Sequence, residues 1–219
     1  MSTEKPKISC LSNGPYYLSD DPALKTSVSI NNSQGKPFST DKNIALCRCG
    51  GSKNKPFCDG THSKNGFSDK KLSNGKLNKR VNYPQVNNTG KKITIHDNRE
   101  ICAHAGYCTD NLSSVFKYKE EPWIDADAAT VEDIINTIAK CPSGALSYSI
   151  DNTEHQIQTS APLITVLENG PYAVTGGIEL IDQKLGEGCT EERYTLCRCG
   201  ASKNKPFCDG SHWTVDFKD

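Results

Sequence analysis

The apolar positions of this chain come in short runs separated by long polar stretches. Leu163 to Leu167 is rich in apolar and β-branched residues, which predicts a strand. Asn169-Gly170-Pro171 then marks a turn, and Tyr172 to Val174 a second strand. The same Asn-Gly-Pro-Tyr element stands at residues 13–16, so Tyr16-Tyr17-Leu18 is expected to repeat that strand. In the middle of the chain Lys92 to Ile95 alternates and predicts a strand. Thr130 to Lys140 has a helical period, with Val131, Ile134, Ile135 and Ile138 on one face and Thr130 and Asp133 as a capping box. Cys141-Pro142 ends that helix, and Ser147 to Ile150 follows as a short strand. The apolar stripe of the helix is core.

The polar stretches divide the chain. From Lys70 to Lys92 seven basic residues stand among Asn, Gly and Ser, which reads as a linker. Residues 151–161 read as a second linker. The expected units are therefore 1–68, a linker at 69–90, a central unit at 91–150, the second linker, and a closing unit at 162–219.

Composition narrows the class. Apolar content is 35% and aromatic content 7%, lean for one large core, so small units braced by metal centres fit better. The formal net charge is zero, which argues against a dedicated nucleic-acid binder. The first residues, Met-Ser-Thr-Glu-Lys-Pro-Lys, carry no apolar h-region, and no run reaches the ~18 apolar residues of a membrane span. Eleven cysteines are an odd number, and nine of them fall into ligand-like spacings. Unexported, reduced thiols predict an intracellular, cytoplasmic protein.

Those cysteines are concentrated in one stretch that occurs twice. Residues 46–62 read Leu-Cys-Arg-Cys-Gly-Gly-Ser-Lys-Asn-Lys-Pro-Phe-Cys-Asp-Gly-Thr-His, and residues 196–212 repeat them with Gly51 becoming Ala201 and Thr61 becoming Ser211. Each copy offers three cysteines and a histidine: Cys47, Cys49, Cys58, His62 and Cys197, Cys199, Cys208, His212. Two cysteines two apart point to one side of an extended segment. Cys58 and His62, four apart, share a face of one helical turn, with Asp59 expected as its N-cap. A thiolate-bound centre there would gain from the helix dipole. Spacing alone fits either structural zinc or an iron–sulfur cluster. The two copies differ upstream by six residues, counted from Asn13 to Cys47 and from Asn169 to Cys197; a loop such as Asn31 to Lys36 accounts for this.

The pattern Cys-x-Cys-x2-Ser-x3-Pro-x-Cys-Asp-Gly-[Ser/Thr]-His resembles the signature of the CDGSH (mitoNEET-like) iron–sulfur family, and both copies fill every position, with Ser52 and Pro56, and Ser202 and Pro206. The resemblance implies one [2Fe–2S] cluster per copy, held by the three cysteines and the histidine. No counterpart of the anchor of the membrane-bound members is expected here. The central Cys102-x5-Cys108 with a distant Cys141-Pro142 and Ser-Gly-Ala-Leu is similar to a divergent single-cluster ferredoxin whose middle cysteine is replaced by Ala105. That similarity implies a third cluster, [3Fe–4S] or [4Fe–4S], on Cys102, Cys108 and Cys141, with His104 as a candidate fourth ligand. Single-motif CDGSH proteins form homodimers, so the two copies are expected to pair within the chain.

The expected architecture is α+β: two small β-rich CDGSH units as an intramolecular pseudo-dimer, with an inserted ferredoxin-like α+β unit. The expected protein is a monomer that transfers electrons to or from a redox partner protein. The alternatives are storage and delivery of [2Fe–2S] clusters to an apo iron–sulfur acceptor, and a zinc-braced adaptor. A neutral imidazole in place of a thiolate removes negative charge from the cluster's ligands, which raises its potential and makes that bond the labile one. No phosphate loop, catalytic Ser/His/Asp order or flavin signature is present, so no catalytic residue is assigned. No nucleic-acid or membrane partner is expected.

Overall fold

The computed structural model describes residues 5–18, 28–40, 43–76, 78–157 and 161–219. In chain order the strands are β1 (Lys7–Cys10), β2 (Tyr16–Leu18), β3 (Ser29–Asn32), β4 (Ile44–Leu46), β5 (Val81–Pro84), β6 (Ile93–Asp97), β7 (Leu146–Ile150), β8 (Thr153–His155), β9 (Leu163–Val166), β10 (Tyr172–Thr175), β11 (Glu179–Leu180) and β12 (Arg193–Leu196). The helices are short: α1 (Tyr107–Asn111), α2 (Val131–Ile138) and α3 (Ser211–Thr214). The molecule is α+β, made of small sheets and few helices.

Among the described residues the strands form three four-stranded sheets. In the first, β1, β2 and β4 run antiparallel, and β11 joins β1 in parallel with Ile8 opposite Leu180. In the second, β9, β10 and β12 run antiparallel, and β3 joins β9 in parallel with Ile30 opposite Ile164. Each of these sheets thus takes one edge strand from the other half of the chain. Three strands of three or four residues bury little by themselves. The added strands and a shared core supply the rest: Ile8, Tyr16 and Leu46 pack with Ile164, Tyr172 and Leu196 in one buried cluster.

The third sheet has the order β5-β6-β7-β8 and packs against α2, with Ile93, Ile95, Phe116, Ile134 and Ile138 fully buried. The helix forms as its sequence predicts. Thr130 is the N-cap and accepts from the Asp133 N–H at 3.2 Å. Two stretches read as linkers contribute strands to this sheet, β5 from 69–90 and β8 from 151–161. Neither has a buried apolar pattern: the residues of β8 are all exposed, and β5 carries Pro84 on the sheet edge. Pairing with β6 and β7, rather than their own periodicity, holds them. Likewise Asn31 and Asn32 belong to β3 rather than to a loop, and only Ser33 to Gly35 form the turn, closed by the Gly35 N–H on the Asn32 carbonyl.

Candidate metal centres

β4 and β12 each lead directly into a cluster motif. The chain stays extended past Leu46, so the Sγ atoms of Cys47 and Cys49 lie 3.9 Å apart, and those of Cys197 and Cys199 3.7 Å apart. The second pair of donors comes from the far side of each loop: Cys58 Sγ is 3.4 Å from His62 Nδ1, and Cys208 Sγ 3.4 Å from His212 Nδ1. Two sulfurs on a tetrahedral metal at about 2.3 Å stand about 3.8 Å apart. Each pair therefore fits one metal atom. Among the described residues no three His, Cys, Asp or Glu converge on a point as a mononuclear ion needs. In each copy the candidate donors come as two pairs.

The local turn differs from the sequence expectation. Gly60, not Asp59, occupies the cap position, and the helical piece in the first copy is a three-residue 3-10 turn, Thr61–Ser63. Asp59 instead ties the loop ends together, accepting from the N–H groups of Lys53 at 2.9 Å and Thr61 at 3.0 Å. These bonds hold its carboxyl well below the usual carboxylate range. So short a turn has little dipole; individual N–H groups act in its place. Gly51 N–H points at Cys49 Sγ and Gly60 N–H at Cys58 Sγ, both at 3.4 Å, and the second copy repeats both contacts.

The signature serine and proline brace the loop. Ser52 Oγ donates to the Phe57 carbonyl at 2.7 Å and accepts from Asn54 N–H, while the Pro56 carbonyl accepts from Cys47 N–H. Ser202 and Pro206 do the same in the second copy.

Several functional residues were not read from the sequence. The tyrosine of Asn-Gly-Pro-Tyr, expected only as the first residue of a strand, crosses to the opposite motif. Tyr16 Oη donates to the carbonyls of Cys197 and Pro206, and Tyr172 Oη to those of Cys47 and Pro56, all at 2.9 Å. The arginine between the first two cysteines is buried in both copies. Arg48 lies over the Tyr16 ring and pairs with Asp69, and Arg198 lies over Tyr172 and pairs with Asp219. Asp69 and Asp219 stand the same interval apart as Cys47 and Cys197, so extending the repeat past the histidine would have found them. The two motifs meet backbone to backbone, with Cys49 bridged to Cys199. A Cβ on Gly50 would stand 2.5 Å from the Cys199 carbonyl oxygen, and one on Gly200 2.6 Å from that of Cys49. Only glycine permits this approach.

The third set of cysteines comes from three elements. Cys102 follows a 3-10 turn at Arg99–Ile101, Cys108 lies in α1, and Cys141 follows α2. All three line one cavity of about 980 Å³, together with Asp97, Arg99, His104 and Trp123. Asp97 is 1% exposed, and its Oδ2 faces Arg99 Nε at 3.7 Å. Burial raises its carboxyl to about 6. His104 lines the cavity, yet its ring packs on Gly210 of the second motif: a Cβ there would be 2.5 Å from Cδ2.

Electrostatics favour a positive group at these sulfurs. Burial raises the Cys102 thiol to about 12 and also lifts Cys108, Cys47 and Cys208. Cys199 is drawn down to about 7 by its hydrogen bond with Cys197, which rises in turn. A lone thiolate is costly at most of these positions, and a metal centre reverses that sign by supplying the counter-charge. The donor set therefore fits iron–sulfur clusters.

Comparison with known proteins agrees. Residues 13–63 and 169–213 match the family described as iron-binding zinc finger, CDGSH type, and residues 88–151 match the family described as divergent 4Fe-4S mono-cluster. The chain carries two CDGSH-type regions flanking a divergent 4Fe-4S mono-cluster region and is an iron–sulfur-binding protein. It is similar to the uncharacterized protein YjdI of Escherichia coli K12 and to that of Escherichia coli O157:H7. Each is 42% identical over 60 residues, covering 27% of this chain and 79% of the relative. No solved structure matches the chain. Among the described residues no helix is long and apolar enough to cross a membrane.

Proposed function

We propose that this chain is an electron-transfer protein carrying two [2Fe–2S] clusters and a third of [3Fe–4S] or [4Fe–4S] type. Cys47, Cys49, Cys58 and His62 hold the first, Cys197, Cys199, Cys208 and His212 the second, and Cys102, Cys108 and Cys141 the third. The observation that carries this reading is the grouping of each CDGSH donor set into two pairs, 3.9 and 3.4 Å in one copy and 3.7 and 3.4 Å in the other. When bound, such clusters supply one-electron chemistry. The chain's own contribution is placement. The Cys49–Cys199 bridge supports a relay in which the first two sites are neighbours, and the His104–Gly210 contact supports the third lying next to the second. Iron and sulfide counting with anaerobic EPR tests this on the full chain. Roughly seven to eight irons per chain are expected. A colourless protein with one zinc per CDGSH site would overturn it.

The halves fold as a pseudo-twofold pair in a monomer. The reciprocal strand additions and the reciprocal tyrosine contacts support this, because each half already fills the place a second copy would take. Light scattering should give a mass near 23.9 kDa, and twice that mass would refute it. Delivery of a [2Fe–2S] cluster to an apo iron–sulfur acceptor is the second reading, favoured by one observation: His62 is only partly buried.

A further inference from the structure

The two CDGSH motifs differ in sequence at only two of their seventeen positions, yet their surroundings differ throughout. Asn204, Lys205, Phe207, Cys208, Gly210 and His212 are buried, whereas Asn54, Lys55, Phe57, Cys58, Gly60 and His62 are not. The central unit and the segment leading into it provide the cover. Asn204 Nδ2 donates to the Glu100 carbonyl at 2.6 Å, and the Lys203 carbonyl accepts from the N–H groups of Leu72 and Ser73. The His104 ring closes over Gly210, next to the His212 helix, and Trp213 Nε1 donates to the His104 carbonyl at 3.1 Å, pinning that ring's loop in place. The residue equivalent to Trp213 in the first copy is Ser63, which has no ring and bonds its own turn at the Gly60 carbonyl.

We propose that the two CDGSH sites have different tasks: the first is the molecule's exchange face, where a thiolate-bearing protein or a chelator reaches the metal, and the second is a retained site closed by His104 and Trp213 and committed inward to the ferredoxin-like unit. This rests on the cluster reading above. Toward the second site His104 and Trp213 are positioning residues, since they cover it without donating to it. Access to the His62 edge governs the first site; the packing of the 102–106 segment governs the second.

The test uses the full, cluster-loaded chain and bathophenanthroline disulfonate as chelator, with the EPR signals of the two [2Fe–2S] sites followed over time. Wild type is expected to lose iron from these sites in two phases at least tenfold apart. Trp213→Ser with His104→Gly should accelerate the slow phase severalfold and leave the fast phase unchanged. Trp213 is 68% exposed and His104 already has a positive φ of 52°, so both replacements spare the core and the backbone. Trp213→Phe, which keeps the ring but loses the N–H, should fall between. A single common phase in wild type, or a variant that speeds only the fast phase, would overturn the inference while leaving the cluster reading intact. Absence of iron from both CDGSH sites in wild type would overturn the cluster reading, and this inference with it.

Discussion

The two copies of the motif form a comparison in which the candidate ligands are held constant and the environment varies. Their internal bonds are the same to within a few tenths of an ångström, from Ser52 and Ser202 bracing the loops to Cys58 and Cys208 meeting their histidines. Their outer faces are not the same. One is left to solvent around Asp59 and His62, and the other is packed under Glu100 and His104. A repeated sequence therefore fixes the geometry of the donors. It does not fix how easily they are reached, which depends on what the rest of the chain lays over them.

The largest test of that comparison removes one ligand at a time. Cys58→Ala should abolish the first cluster alone and Cys208→Ala the second alone, each lowering iron by about two per chain; a loss at both sites from either change would show that they assemble as a unit. Next, Gly50→Ala or Gly200→Ala attacks what the copies share. Each places a Cβ within 2.6 Å of the opposite backbone at a positive φ, so urea unfolding should show a loss of about 3 kcal/mol, alike for the two. A smaller effect separates the copies again. Asn204→Ala removes a buried donor from the Glu100 carbonyl and should cost about 1–2 kcal/mol, while Asn54→Ala on the exposed face should stay within about 0.5 kcal/mol. The finest test uses the crossed tyrosines. Tyr16→Phe should cost about 1 kcal/mol and shift the EPR spectrum of the second site, whereas Tyr172→Phe should shift that of the first. A shift at the same-half site instead would reverse the cross-brace.

Much of this was legible beforehand. The pairing of Cys47 with Cys49 and of Cys58 with His62 followed from spacing, and α2 with its Thr130 cap from the period of its isoleucines. The strands β9 and β10 followed from β-branched runs and a turn signal. What escaped was held by partners distant in sequence. β5 and β8 have no apolar alternation, and only their neighbours in the sheet make them strands. Gly60 replaced Asp59 at the cap because the aspartate was already bonded to the Lys53 N–H across the loop. Tyr16 was read correctly as a strand residue, but its bracing role was not, because its acceptors lie in the other half of the chain.

The sequence by itself determined the candidate donors and their local pairing, because two-residue and four-residue spacings translate directly into close side-chain pairs. Only the tertiary structure decided that the copies would be braced by each other's tyrosines and that one of them would be covered. Both outcomes depend on which surfaces meet when β11 joins β1 and His104 settles on Gly210, and a contact between distant segments leaves no period in the chain that makes it.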